Sequence, residues 1–352
     1  MRKVVLTGGG SAGHVVMHLA LIPRLLERGW SVVYVGSHRG IEKRLISDAG
    51  IPYVGIPAGK LRRYLDWRNA VDLVNVLAGM VRATIVLRRE RPDVVVSKGG
   101  FVALPVVFGA WMNGIPVVVH ESDLTPGLAN RLSFPMSRFV CATFRESLPH
   151  LPRKKTVYVG AIIRDGLGSG SAEAGRRLCG FDGTKPVLLV MGGSQGSRSI
   201  NGAIRGALPH LAGTYDVIHL CGERNIDPVI SVDGYRQFGY LDQELPDVLA
   251  AADVVVSRAG SNTIFELLHL RKPMLLIPLR RGSRGDQVLN ARVFRDAGFC
   301  GVLPEQHLTA ESIARSITDV HARRQELIGN MSSNDIGDGL TSLTNILEGF
   351  AP

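Results

Sequence analysis

Cysteine is scarce in this 352-residue chain: Cys141, Cys179, Cys221 and Cys300 are far apart, and no CxxC pair exists. That spacing supports neither a zinc site nor a disulfide framework, so buried thiols of a reduced, cytosolic protein are expected. Long apolar runs are missing too. None reaches the roughly 18 residues that a spanning helix needs. The opening MRKVVLTGGG is too short in apolar residues for a signal peptide and reads as a strand. Charged residues make up only 20% of the chain, below the roughly 25% usual in soluble domains, which argues against disorder. No arginine-aromatic array or nucleic-acid motif appears, so nucleic acid is not an expected partner. No Gly-Lys-Ser or Gly-Lys-Thr follows a glycine-rich turn, which removes the Walker A phosphate loop.

Apolar residues are plentiful, at 45%, and Lys and Arg outnumber Asp and Glu by 41 to 31, a net charge of +10. The length predicts two domains of roughly 100–200 residues each. With nucleic acid set aside, the basic excess points to a phosphorylated substrate or an anionic membrane surface.

Continuous apolar runs recur at Val4–Leu6, Val32–Val35, Val94–Val96, Val117–Val119, Val187–Met191, Val217–Leu220, Val254–Val256 and Met274–Ile277. Runs that do not alternate predict strands covered on both faces, as in parallel sheets. Helical stretches lie between them at His14–Arg28, Arg68–Arg89, Ser197–Leu211, Asn262–Leu270 and Asp286–Ala297. The alternation predicts an α/β chain of two Rossmann-like, doubly wound domains facing a central cleft. The boundary is expected near residue 160, giving halves 1–162 and 163–337. The amphipathic segment Leu340–Phe350 reads as a terminal helix that either half can take. Such a helix at about 338–352 is expected to pack back on the first half.

Two glycine-rich turns mark the starts of the halves: Gly8-Gly9-Gly10-Ser11-Ala12-Gly13 and Gly192-Gly193-Ser194-Gln195-Gly196-Ser197. The first matches GxGxxG, but a dinucleotide fold also wants an acid near the end of the second strand. Here that strand runs into Val35-Gly36-Ser37-His38-Arg39, so a nicotinamide enzyme is disfavoured. The glycines still let backbone amides approach an anionic ligand at a helix start. His14 stands at that start, where a neutral imidazole suits a general base, although a capping or packing histidine fits the sequence as well. Ser257 to Thr263 leads from a strand into a helix bearing Glu266, a pattern that suits a phosphate followed by a ribose diol. A capping acid is the plainer reading of Glu266. Asp286 to Asn290 opens another helix with polar groups. Ser97-Lys98-Gly99-Gly100, His120-Glu121-Ser122-Asp123 and Pro126 to Asn130 each follow strands, and Glu121 with Asp123 invites a paired-carboxylate reading.

Taken in order, Thr7 to His14, His120-Glu121 with Pro126 to Asn130, Gly192 to Gly196, and Arg258-Ala259-Gly260 with Glu266 resemble the MurG family. These are glycosyltransferases of family 28, UDP-N-acetylglucosamine transferases that convert lipid I to lipid II in peptidoglycan synthesis. The resemblance covers about residues 1–300. The tracts Gly59 to Tyr64 and Ser283 to Gln287 look like its Gram-positive branch. Ala12 stands where a glycine is usual, and Val15 to His18 replace a Phe-Pro-Ala-like stretch.

The resemblance implies a GT-B fold and inverting transfer without a metal or cofactor. It places Ser11, Ala12 and Gly13 beside the donor and acceptor diphosphates, and His14, at the helix start next to them, is the base expected for the transfer. Asn130 would reach the GlcNAc group, and Arg164, Ser194 and Gln195 the nucleotide-sugar. Ser261, Asn262, Thr263, Ile264 and Phe265 would line the nucleotide, Glu266 would hold the ribose, and Gln287 the sugar. The implied partners are UDP-GlcNAc, lipid I, an anionic inner-leaflet surface and proteins of a cell-wall or division complex. The implied location is the cytoplasmic face of the cell membrane, as a peripheral protein. A docking stripe is expected at Trp67, Leu73, Val74, Leu77, Met80 and Val81, ringed by Lys60, Arg62, Arg63, Arg68, Arg82, Arg88 and Arg89, although the same stripe reads equally as core. Three rivals are another UDP-sugar-dependent glycolipid transferase, a UDP-GlcNAc 2-epimerase and a non-catalytic member of a cell-wall complex.

Overall fold

The computed structural model describes residues 2–10, 13–59, 68–193, 195–280 and 285–350, with backbone alone for 68–71. These residues fall into two compact units: Met1–Arg164 with Gly337–Pro352, and Asp165–Ile336.

Seven parallel strands form the sheet of the first unit: β1 Lys3–Thr7, β2 Ser31–Ser37, β3 Tyr53–Ile56, β4 Val94–Ser97, β5 Val117–Glu121, β6 Phe139–Ala142 and β7 Thr156–Tyr158. Their order is β3-β2-β1-β4-β5-β6-β7. Helices α1 Gly13–Glu27, α2 Ile41–Asp48, α3 Arg68–Glu90, α4 Ala103–Met112 and α5 Leu128–Ser133 lie along the connections. The unbroken apolar runs have a direct cause in this layering. Val4, Leu6, Val32, Tyr34, Val94 and Val96 enter one core, while Val5, Val33, Val35, Val95 and Val119 enter the other.

The second unit repeats the plan with six parallel strands: β8 Val187–Met191, β9 Asp216–Leu220, β10 Tyr235–Phe238, β11 Val254–Ser257, β12 Met274–Leu276 and β13 Cys300–Val302. Their order is β10-β9-β8-β11-β12-β13. Its helices are α6 Ala172–Cys179, α7 Arg198–Leu211, α8 Leu245–Ala251, α9 Ser261–His269, α10 Asp286–Asp296, α11 Ala310–Ala322 and α12 Arg324–Ser332. The last helix, α13 Gly339–Glu348, belongs to the first unit. Asp338 caps it through the Thr341 amide at 2.9 Å, and Leu340, Leu343 and Leu347 are buried beside α1. Each such leucine stabilises the docked helix by about 1.5–3 kcal/mol of burial.

All eight apolar runs are strands, and the two-domain α/β class is the one read from them. Five strands, β3, β6, β7, β10 and β13, escaped that reading. Each is short, and several carry polar or glycine residues. The four cysteines are buried and unpaired. Among the described residues no helix is long and apolar enough to cross a membrane.

In both sheets the strand order reverses direction at one place, between β1 and β4 and between β8 and β11. Ligands of such sheets bind beyond the carboxyl ends of the strands at that switch point. The glycine-rich turns follow β1 and β8, and Lys98 to Gly100 and Arg258 to Gly260 follow the strands beside them. In-register pairs bring Thr7 next to Ser97 and Met191 next to Ser257.

Candidate active site

At the switch point of the first unit the turns after β1 and β4 touch. The Gly9 amide donates to the Gly99 carbonyl at 3.4 Å. Gly100, at φ +86°, approaches so closely that a Cβ there would strike the Gly9 carbonyl. His14 is half-buried at the start of α1, and its Nδ1 lies 2.7 Å from the Gly9 carbonyl oxygen. That oxygen only accepts, so Nδ1 carries the proton and Nε2 is the basic nitrogen.

A buried acid holds the first turn from below. Glu42, on the first turn of α2, is fully buried. Its Oε1 accepts from the Ser37 amide at 3.2 Å and hydroxyl at 2.6 Å, and its Oε2 from the Gly10 amide at 3.4 Å. A Cβ on Gly9 would stand 2.7 Å from this carboxyl group, and one on Gly40 would strike it. The region near the end of β2, where a dinucleotide fold has its ribose-binding acid, thus holds a carboxylate turned inward onto the protein's own turn.

Behind the turn lies a buried polar layer. Lys98, 3% exposed, donates from Nζ to His120 Nδ1 at 2.9 Å, and His120 Nε2 pairs with Thr143 Oγ1 at 3.2 Å. Burial pushes the Lys98 ammonium down to about 8, against the pull of Glu121 and Asp123. Burial, then Lys98, then His18 hold His120 well below its ordinary value, so it stays neutral. His18 is pushed down to about 3, first by burial, then by Lys98 and His14. Its Nδ1 meets Tyr34 Oη at 3.3 Å, and that hydroxyl donates to the Gly8 carbonyl at 2.7 Å. Glu121 does not act as half of a carboxylate pair. Its Oε1 accepts from the Asp123 amide at 3.0 Å, and its Oε2 from the Gly127 amide at 3.1 Å and Asn130 Nδ2 at 2.8 Å.

In the second unit, Ser197 caps α7, its Oγ accepting from the Ile200 amide. Gly196, at φ +73°, lets the turn pass against the Cys221 carbonyl, which a Cβ would strike. Arg258 is taken up in holding this unit together: it donates to Ser197 Oγ at 2.7 Å, Ser199 Oγ at 3.0 Å and Glu305 Oε1 at 2.5 Å. By contrast α9 starts at Gly260 with no side-chain cap. Ser261 is buried at its first position, Asn262 and Thr263 are half-buried, and Glu266 is half-buried one turn on. Gln287 stands in the first turn of α10, where its Oε1 accepts from the Leu279 amide at 2.8 Å.

Two groups of expected site residues therefore gather, one in each unit. Gly13, His14 and Asn130 lie at the β1/β4 end of the first sheet. Gln195, Ser261 to Glu266 and Gln287 lie at the carboxyl ends of the second. Gln195 is exposed there, and its carbonyl accepts from Asn225 Nδ2 at 3.1 Å. Arg164, half-buried, is the last residue of the first unit's main segment. Ser11, Ala12 and Ser194 lie outside the described residues. Ile264 sits on the inner face of α9 with its side chain wholly in the core, so its backbone alone can face a ligand. Phe265 also turns inward, edge-on to Phe294 at 5.4 Å. Glu42 is the functional candidate that the sequence reading missed. Glycines at 9, 36 and 40 around a single acid were the available signal.

Comparison with known proteins fits this geometry. Residues 4–143 match the glycosyltransferase family 28 N-terminal domain and residues 187–345 the family 28 C-terminal domain. The chain is 52% identical, over 99% of both lengths, to a protein of Geobacillus thermodenitrificans. That protein is named UDP-N-acetylglucosamine--N-acetylmuramyl-(pentapeptide) pyrophosphoryl-undecaprenol N-acetylglucosamine transferase. A Clostridium perfringens protein of the same name is 48% identical over 98% of both chains. Among solved structures, Acinetobacter baumannii MurG aligns with a TM-score of 0.79 at 22% identity, covering 99% of this chain and 100% of that one. With both domains matched in order and the GT-B fold in common, this chain belongs to glycosyltransferase family 28.

Proposed function

We propose that this chain transfers N-acetylglucosamine from UDP-GlcNAc to the 4-hydroxyl of undecaprenyl-pyrophosphoryl-MurNAc-pentapeptide, with inversion at the anomeric carbon. The observation that carries this reading is the activity named for relatives 52% and 48% identical along almost the whole chain. The site chemistry supports it. In the second unit the uncapped start of α9 offers backbone amides to a diphosphate, and Glu266, one turn later, suits the ribose hydroxyls. Gln287 serves the sugar. Asn130 offers an oxygen to the GlcNAc group, and Ser11, Ala12 and Gly13 serve the diphosphates, with Arg164, Ser194 and Gln195 on the nucleotide-sugar.

In the reaction the acceptor oxygen forms a bond to the anomeric carbon as the bond from that carbon to the UDP oxygen breaks. The leaving oxygen keeps the electron pair, and helix-start amides with Arg164 stabilise the developing charge. The hydroxyl proton passes to His14, whose Nδ1 is committed to Gly9 and whose Nε2 is the basic nitrogen. A general base contributes about 10²–10⁴-fold, so turnover in His14→Ala is expected to fall by about that factor.

The lipid-linked acceptor requires the enzyme to work at a membrane surface, and α3 has a face suited to it. Leu73, Val74, Leu77, Val81 and Ile85 are exposed, with Arg82, Arg88 and Arg89 exposed beside them, while Val76, Val86 and Leu87 fill the core. Met80 is half-buried. Lys60, Arg62, Arg63 and Trp67 lie outside the described residues, as does the side chain of Arg68. An apolar stripe with a basic rim suits an anionic leaflet, on which the protein sits peripherally.

The test is transfer itself: purified protein, labelled UDP-GlcNAc and a lipid I analogue, with UDP-Glc and UDP-GalNAc as controls. Label is expected in the lipid product from UDP-GlcNAc alone. Interconversion of UDP-GlcNAc without an acceptor, or no transfer at all, would overturn the reading.

A further inference from the structure

At the start of α5 lies a buried carboxamide whose hydrogen bonds are only half met. Asn130 is 4% exposed, and its Nδ2 is committed to two acceptors: Glu121 Oε2 at 2.8 Å and the His120 carbonyl at 3.2 Å. Both partners accept only, so the carboxamide has a single orientation, nitrogen toward Glu121 and Oδ1 away from it. That Oδ1 is buried and has no hydrogen-bond partner among the described residues. It faces the turn after β4, where a Cβ on Gly99 would stand only 2.6 Å from it. A buried acceptor without a donor is costly, and a ligand's N–H or O–H relieves that cost.

Glu121 is itself immobile. It is 4% exposed and anchored by the Asp123 and Gly127 amides at 3.0 and 3.1 Å, one on each oxygen. Burial and Asp123 push its carboxyl upward, and the Asp123 amide, Asn130 and Lys98 oppose that rise.

We infer that Glu121 is a positioning residue that holds Asn130 as a pure hydrogen-bond acceptor for an N–H or O–H donor on the bound sugar. A carboxamide at position 121 cannot do this. It has one oxygen for two loop amides, and its own NH2 would face Asn130 Nδ2. Asn130 would then turn over and present a donor where the wild-type chain presents an acceptor. This inference rests on the transfer reading given above.

Initial-rate kinetics with UDP-GlcNAc and a lipid I analogue test it on four proteins: wild type, Glu121→Gln, Asn130→Ala and the double variant. Each single substitution is expected to lower kcat/KM by about tenfold to a hundredfold. The double variant is expected to stay within about twofold of Asn130→Ala, because Glu121 acts through that side chain. Losses that multiply in the double variant, or Glu121→Gln at wild-type rates, would overturn the inference. If Glu121→Gln does not fold, Glu121→Asp takes its place in the same cycle: it keeps the charge but is one methylene short of Asn130. Wild-type protein that transfers no GlcNAc would sink the transfer reading itself. Active wild type with independent losses sinks only the role of Glu121.

Discussion

Replacing Glu42 separates the loop-holding role of this acid from its packing. In Glu42→Gln the carboxamide oxygen can still accept from the Ser37 amide and hydroxyl. Its NH2 then faces the Gly10 amide, so a bond of 3.4 Å becomes a donor against a donor. An amide left this way costs about 1–3 kcal/mol, which lowers the share of chains with the first turn in place by roughly 5- to 150-fold. The apparent KM for the lipid acceptor is expected to rise within that range. The apparent KM for UDP-GlcNAc should change less, because Ser261 to Glu266 and Gln287, which the proposal puts on the nucleotide and the sugar, belong to the other unit. Glu42→Ala is harsher. It strands the Ser37 amide, the Ser37 hydroxyl and the Gly10 amide and leaves a space lined by Gly9, Gly36 and Gly40. A loss of about 3–5 kcal/mol is expected for the first unit. The assay is specific to that unit, because all three tryptophans, Trp30, Trp67 and Trp111, belong to it. Urea unfolding followed by tryptophan fluorescence therefore reports its stability alone. Wild-type acceptor kinetics in Glu42→Gln, together with a Glu42→Ala transition shifted by less than about 0.5 kcal/mol, would refute this role.

His18 and His219 are both pushed down to about 3, chiefly by burial. Unfolding lets them take up protons, so each removes stability as pH falls from about 6.5 toward 3, by up to roughly 1.4 kcal/mol per pH unit. His18→Asn should flatten the tryptophan-detected slope in that window by about one such increment, and an unchanged slope would contradict the burial argument. The thiols of Cys141 and Cys300 are pushed up to about 12 by burial. Iodoacetamide at pH 8 should leave both unmodified in the native protein and label them after denaturation. Liposome flotation should show binding that grows with anionic lipid and is lost when Leu73, Val74, Leu77 and Val81 are all replaced by Ser. Binding indifferent to lipid charge would remove α3 as the docking face.

The central strands were legible because both faces of each are covered, so their apolar runs are continuous. The edge strands, and β6 beside one of them, were not. β7 and β13 have three residues each, and Arg236 and Gln237 interrupt β10, so none has a run to read. The glycine turns were visible as local sequence, and so was His14. The meaning of Glu42 and Glu121 was not, since each acts on amides that only the fold brings near. Gly10 lies 32 positions from Glu42, and Asn130 nine from Glu121. Exposure of the α3 stripe was also beyond periodicity, because a helix face fixed by spacing can meet either core or solvent. Ile264 shows the same limit from the other side. A contiguous stretch carried over by resemblance included a residue whose side chain the helix turns inward.

Inverting transfer is tested most directly by the anomeric configuration of the product. The protein, UDP-GlcNAc and a water-soluble lipid I analogue are incubated together, and the new disaccharide is isolated for mass and proton NMR. One added N-acetylhexosamine on the MurNAc 4-position, with the large axial coupling of a β-linkage and one UDP released per linkage, is the expected result. An α-linkage, attachment at another hydroxyl, or UDP-GlcNAc altered with no disaccharide formed would contradict the account.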